Sequence, residues 1–133
     1  MSRCYYLDSS AIVKILVHET ETDALQSALS DTPRMISSIL AIVEVERVIR
    51  RGQLEKSVGQ RSKRLLASMT LVRVSEDVLA AAGTVGPPDL GSLDAIHLAS
   101  ALSAQPDIDV FITYDKRLAG AAQVAGLEVW APA

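Results

Sequence analysis

The chain is poor in the residues that most often announce a chemistry. Cys4 is the only cysteine in 133 residues, which excludes an internal disulfide and any cysteine-cluster metal site. Aromatic residues make up 4% against 49% apolar residues, so the core is aliphatic and rich in alanine. That composition suits packed helices and buried parallel strands better than an aromatic-rich β-sandwich. Clean apolar runs such as residues 39–43 are five residues long, far short of a membrane span. The opening MSRCYYLDSS shows no apolar stretch followed by a cleavage site, so a cytoplasmic protein without a membrane partner is expected. There is no glycine-rich phosphate loop and no serine, cysteine or histidine arranged as an activated nucleophile. Thirteen basic residues against 16 acidic ones leave a net charge of −3, so the overall field does not attract nucleic acid. With no repeat, low-complexity tract or linker, residues 1–133 are expected to form a single domain.

What is present is an alternation. Short apolar runs at 4–7, 34–37, 71–74, 110–113 and 127–130 read as strands. Helical stretches are expected at 11–17, 21–29, 38–51, 54–69, 76–84, 92–102 and 115–125. Ser9 or Ser10 is the expected cap of the first of these, Ser38 of the third and Ser92 of the sixth, while Gly52 and Gly126 close two others. Strands that are apolar throughout, rather than at every second position, are buried on both faces. The expected architecture is therefore α/β, a parallel sheet with helices on both sides. Ligands of such sheets bind beyond the carboxyl ends of the strands, near a switch in strand order.

That rule draws attention to four acids. Asp8 follows the first strand directly, and Asp115 lies two residues beyond Thr113 at the end of the fourth. Asp94 falls in the first turn of an otherwise apolar helix, LGSLDAIHLASAL. Glu44 lies at the margin of an apolar face, with Leu40, Ala41 and Val48 at i−4, i−3 and i+4. Each has a plain structural alternative: Asp8 and Asp115 as helix caps, Asp94 as a partner for the helix dipole. Glu46 is explained by Arg50 four residues on. His97, with no second histidine near it, reads as a hydrogen-bonding core residue rather than a ligand. Four carboxylates meeting at one edge repel one another unless a cation joins them, and oxygen ligands of this kind select Mg²⁺ or Mn²⁺.

The segments YYLDSSAIVKIL, SSILAIVEVERVIRR, GSLDAIHLASAL and FITYDKRLAGAAQVAGLEV carry these acids in order. Together they resemble the four signature blocks of PIN-domain ribonucleases, most closely the VapC-type toxins of toxin–antitoxin pairs. The resemblance implies a PIN-like, flavodoxin- or Rossmann-like sandwich. It also implies catalytic, metal-binding roles for Asp8, Glu44, Asp94 and Asp115, with Ser9 and Thr113 in support. One or two Mg²⁺ or Mn²⁺ ions would activate water against an RNA phosphodiester, and one of the four acids would orient that water. A cognate antitoxin and a homodimer are implied as partners.

Seven of the 13 basic residues fall between positions 47 and 64, opposed there only by Glu55. Of these, Arg47, Arg50, Arg51, Arg61, Lys63 and Arg64 are the candidate RNA contacts. The preceding helix is apolar on nearly all sides, which calls for a partner beyond its own sheet. Two alternatives compete with a nuclease. A receiver-type signalling domain would need paired acids at the first strand, an aspartate after the third and a lysine near the last. Leu7 precedes Asp8, Val74-Ser75 ends the third strand, and residues 127–130 hold no lysine. A catalytically silent PIN-like protein-binding module is disfavoured by the complete set of acids.

Overall fold

The computed structural model describes residues 3–31 and 33–133. Five strands, β1 (Cys4–Leu7), β2 (Arg34–Ser38), β3 (Thr70–Val72), β4 (Val110–Ile112) and β5 (Val129–Trp130), form one sheet in the order β3-β2-β1-β4-β5. Every pairing is parallel. The chain enters at the central strand, builds outward to β3, then returns to the other side of β1 for β4 and β5. The strand order therefore switches at β1, and residues leaving the carboxyl ends of β1 and β4 face the crevice that this switch creates.

Seven helices cover the sheet: α1 (Ser9–Leu16), α2 (Thr22–Ala28), α3 (Ala41–Arg51), α4 (Lys56–Ser68), α5 (Glu76–Ala82), α6 (Ser92–Ser103) and α7 (Lys116–Val124). Side chains alternate across β1, and all four are buried, which is why the strand is apolar throughout. Tyr5 and Leu7 join Val110 and Ile112 in one core with Ile12, Val45, Ile49 and Leu66 from the helices on that face. Cys4 and Tyr6 join Phe111 in a second core, under Leu98 and Ala101 of α6 and Leu118 and Ala122 of α7. A fully buried leucine such as Leu7 or Leu98 contributes about 1.5–3 kcal/mol relative to exposure. The two cores pack β1 and β4 from both sides, and the strands' carboxyl ends emerge together at one edge of the sheet.

Three helix starts differ from expectation. Asp8, not a serine, caps α1, because the strand releases the chain at Leu7 and the carboxylate reaches Ala11 N–H. Leu40 stands at the cap position of α3 without a side-chain bond, while the Ser38 hydroxyl accepts from Leu40 N–H two residues on. Gly91 precedes α6, which draws Ser92 into the helix as its first residue. At the far end of α3, Gly52 keeps a right-handed backbone and Gln53 takes the positive φ of 51°. Gly126 closes α7 with φ 96°, as its position suggests. Glu46 and Arg50 are both exposed, and among the described residues no ion pair joins them. Two solvated side chains gain too little from pairing to be held together.

Candidate active site

Asp8 is the most constrained of the four acids. It lies at the exit of β1, 4% exposed, with both carboxylate oxygens in use. Its Oδ1 accepts from the Ser10 hydroxyl at 2.6 Å and from Ala11 N–H at 3.0 Å. Its Oδ2 accepts from the Thr113 hydroxyl at 2.6 Å. Thr113 in turn accepts from Asp115 N–H, and Ser10 from Tyr114 N–H, each at 3.0 Å. Two hydroxyls thus stitch the start of α1 to the end of β4 and bring Asp8 and Asp115 to the same edge. Burial raises the Asp8 carboxyl above its ordinary value, and the bonds from Ser10, Thr113 and Ala11 only partly offset this. Asp115 caps α7 through Oδ1, which accepts from Arg117 and Leu118 N–H, so its structural and proposed functional roles coexist.

Glu44 reaches the edge from the first turn of α3. Its Oε1 accepts from the Ser9 hydroxyl at 2.6 Å and meets His97 Nε2 at 2.7 Å. Burial alone would raise this carboxyl, but the bonds from His97 and Ser9 hold it below its ordinary value. The other ring nitrogen of His97 meets the Tyr6 hydroxyl at 2.8 Å. Tyr6 is wholly buried, and burial above all, then Asp8, pushes its phenol well above the usual range. The Ser37 and Ser100 hydroxyls lie close enough to influence that phenol, yet neither makes a well-formed hydrogen bond.

Asp94, in the first turn of α6, has the opposite character. It is half-buried, and among the described residues it has neither a hydrogen bond nor a salt bridge. Burial and then the charges of Asp115, Asp8 and Glu44 raise its carboxyl, against a smaller pull from His97. The four acids therefore share one field. Among the described residues no three His, Cys, Asp or Glu side chains converge tightly enough to hold an ion as they stand. The donor set nonetheless fits a hard divalent cation: an unpartnered carboxylate on Asp94, and one uncommitted oxygen each on Glu44 and Asp115.

A family model described as the PIN domain matches residues 5–124. The chain belongs to the PIN-domain family. Among curated proteins, Ribonuclease VapC46 of Mycobacterium tuberculosis is 44% identical over 128 residues, covering 96% of each chain. Ribonuclease VapC47 of the same species is 36% identical over 132 residues, again covering 96% of each. The solved structure of M. tuberculosis VapC20, described as a sarcin–ricin loop cleaving toxin, superimposes with a TM-score of 0.70 at 14% identity. That match covers 92% of this chain and 95% of the other. VapBC2 of Rickettsia felis, bound to a promoter DNA fragment, gives a TM-score of 0.70 at 12% identity over 96% and 97% of the two chains. At those identities the likeness is one of fold, the parallel α/β sandwich expected from the alternation of strands and helices.

The basic run of this PIN domain divides once it is folded. Arg47 and Arg51, one helical turn apart on α3, line a cavity of about 680 Å³ together with Ser9, Glu44, Leu93 and Tyr114. Arg61 points elsewhere and donates to the Leu16 carbonyl at 2.7 Å, tying α4 to the end of α1. Arg50, Lys63 and Arg64 are exposed and line no part of this cavity. Lys116 and Arg117, at the start of α7 beside Asp115, lie outside the linear run and carry no sequence signal of their own. They line a second cavity of about 670 Å³ that contains none of the four acids. The role of His97 as Glu44's partner was likewise hidden, because 53 residues separate the two.

Proposed function

We propose that this chain is a single-domain ribonuclease toxin of a toxin–antitoxin pair, cutting RNA internally with a divalent cation held by Asp8, Glu44, Asp94 and Asp115. One observation carries the proposal. Asp94 is an unpartnered, half-buried carboxylate whose charge is opposed by three other acids at the carboxyl edge of the sheet. A helix-start acid serving only the dipole would not be gathered with three of its own kind. Held by these four acids, Mg²⁺ or Mn²⁺, one ion or two, would supply Lewis acidity toward the scissile phosphate and would lower the pKa of a bound water.

The chain's own residues do the rest. Thr113 holds Asp8, and Ser9 holds Glu44. Arg47 and Arg51 attract the RNA backbone into the cavity beside Glu44, where Leu93 and Tyr114 offer an apolar wall to an unpaired base. A positive patch next to the acids resolves the conflict between an acidic protein and an anionic substrate. With water attacking phosphorus and the 3′-oxygen leaving as the P–O3′ bond breaks and taking up a proton, cleavage would leave a 5′-phosphate and a 3′-hydroxyl.

Ile39, Ile42 and Val43 are 40%, 50% and 53% exposed, an aliphatic face beside the site that suits a homodimer. The adjoining cavity suits a segment of the antitoxin, which would silence the enzyme by covering Glu44. Among the described residues no helix is long and apolar enough to cross a membrane. The cytoplasm, where RNA and antitoxin are made, is the proposed compartment.

The test is cleavage of a mixed RNA pool by purified protein. Cutting is expected with Mg²⁺ or Mn²⁺, and none with EDTA or with folded Asp94→Asn. Undiminished cutting by Asp94→Asn would refute the assignment.

A further inference from the structure

His97 is 1% exposed, and both of its ring nitrogens are occupied. Nε2 faces Glu44 Oε1 at 2.7 Å, and Nδ1 faces the Tyr6 hydroxyl at 2.8 Å. A bare nitrogen lone pair cannot face a carboxylate oxygen at that distance, so Nε2 carries a proton. In the neutral ring Nδ1 is then an acceptor, and the Tyr6 hydroxyl donates to it. The direction of the bond to Glu44 is the same in the imidazolium, so it does not depend on the charge of the ring.

Glu44 Oε1 thus receives two donors, His97 Nε2–H and the Ser9 hydroxyl at 2.6 Å. No donor among the described residues engages Oε2, which is left for the site. A glutamate has three side-chain torsions to fix, and these two bonds fix the carboxylate end. The imidazole comes from α6, one turn after Asp94, so the helix that presents one acid also grips another.

The geometry points to His97 as a positioning residue for the nuclease: held by Tyr6, it aims the free oxygen of Glu44 at the same point as Asp94. It touches neither substrate nor cation and acts only through Glu44. The inference rests on the proposed metal-binding role of the four acids.

The experiment titrates Mn²⁺ into the full-length protein by electron paramagnetic resonance, alongside RNA cleavage kinetics. The proteins are wild type, Asp94→Asn, His97→Leu, His97→Gln, His97→Asn and Tyr6→Phe. Glutamine carries its amide nitrogen near the place of Nε2 and retains a donor for Glu44. Asparagine is shorter, carries its amide near the place of Nδ1, and serves Tyr6 instead. His97→Leu and His97→Asn are expected to bind Mn²⁺ about 10–100-fold more weakly and to lose kcat by a similar factor, with KM for RNA little changed. His97→Gln should recover most of both, and Tyr6→Phe should fall between. If His97→Leu does not fold, the glutamine–asparagine pair decides, since both keep the buried position polar. Equal Mn²⁺ affinities for those two, at the wild-type level and with Asp94→Asn deficient, would overturn the role of His97 alone. A folded wild type that binds no Mn²⁺ would overturn the metal site, and this inference with it.

Discussion

Replacing Asp94 by asparagine should stabilise the protein in the absence of metal. The substitution removes one charge from a group of four while changing the side-chain volume very little. Two unit charges 4 Å apart repel by about 1 kcal/mol in water and about 4 kcal/mol at the effective dielectric near a protein surface. Asp94 is half-buried and its neighbours stand farther off than a coordination shell would place them, so relief from all three is about 1–2 kcal/mol. Against this stands the lost interaction with the α6 dipole, about 0.3–1 kcal/mol. The net gain, about 0–1.7 kcal/mol and centred on about 0.9, corresponds to roughly 3–4 °C in Tm at its centre for a chain of this size. The pH dependence follows from the direction of the shift. A carboxyl whose folded pKa is raised destabilises the fold above that value, and the penalty fades as pH falls toward the ordinary 3.8. The advantage of Asp94→Asn should therefore be full at neutral pH and close on acidification. Mn²⁺ at 100 times its Kd should stabilise wild type by about 2.7 kcal/mol and the variant far less. Thermal melts of both proteins in EDTA and in Mn²⁺ measure all of this. A lower metal-free Tm in Asp94→Asn, with an undiminished Mn²⁺ response, would return Asp94 to an ordinary helix-start acid.

Thr113→Ala should destabilise by about 1.5–3 kcal/mol in urea denaturation, because it strands a buried oxygen of Asp8, and Thr113→Ser should restore most of it. Arg47→Ala and Arg51→Ala should each weaken RNA binding and flatten the slope of log K against log salt by roughly 0.7 for every phosphate the arginine neutralises. Arg61→Ala should leave that slope unchanged while costing about 1 kcal/mol of stability, since its guanidinium is committed to the Leu16 carbonyl. Ile42→Asp should keep the monomer within about 0.5 kcal/mol of wild type and shift it from dimer to monomer in light scattering, because Ile42 is half exposed on the free face of α3.

The order of strands and helices was legible because each strand is a short apolar run buried on both sides, as the full burial of β1 shows. From that order came the crevice at the carboxyl edge, and from the crevice the interest in Asp8 and Asp115. Helix caps were less legible. Asp8, Ser9 and Ser10 are all good caps by type, and only the point where β1 releases the chain selects Asp8. The arginines divided for a related reason: linear proximity to Glu44 says nothing of which side of a helix or loop a residue leaves from. Arg47 and Arg51 share a face with Glu44, while Arg61 turns toward α1. The link from Tyr6 through His97 to Glu44 joins β1, α6 and α3, and no local pattern encodes it. The helix expected to be apolar on nearly all sides is amphipathic instead: α3 buries Ala41, Val45 and Ile49 and exposes Glu46, Arg47, Arg50 and Arg51. Its free aliphatic surface is confined to Ile42 and Val43, with Ile39 just before it.

The central claim is that four carboxylates at the carboxyl edge of the sheet gather around a cation. Crystals soaked in Mn²⁺ and measured at a wavelength where manganese scatters anomalously test it directly. The expected result is an anomalous peak bounded by Asp8, Glu44, Asp94 and Asp115, with Glu44 presenting Oε2 and its Oε1 still on Ser9 and His97. A peak elsewhere on the protein, or none at saturating Mn²⁺ with the four side chains ordered, would contradict it.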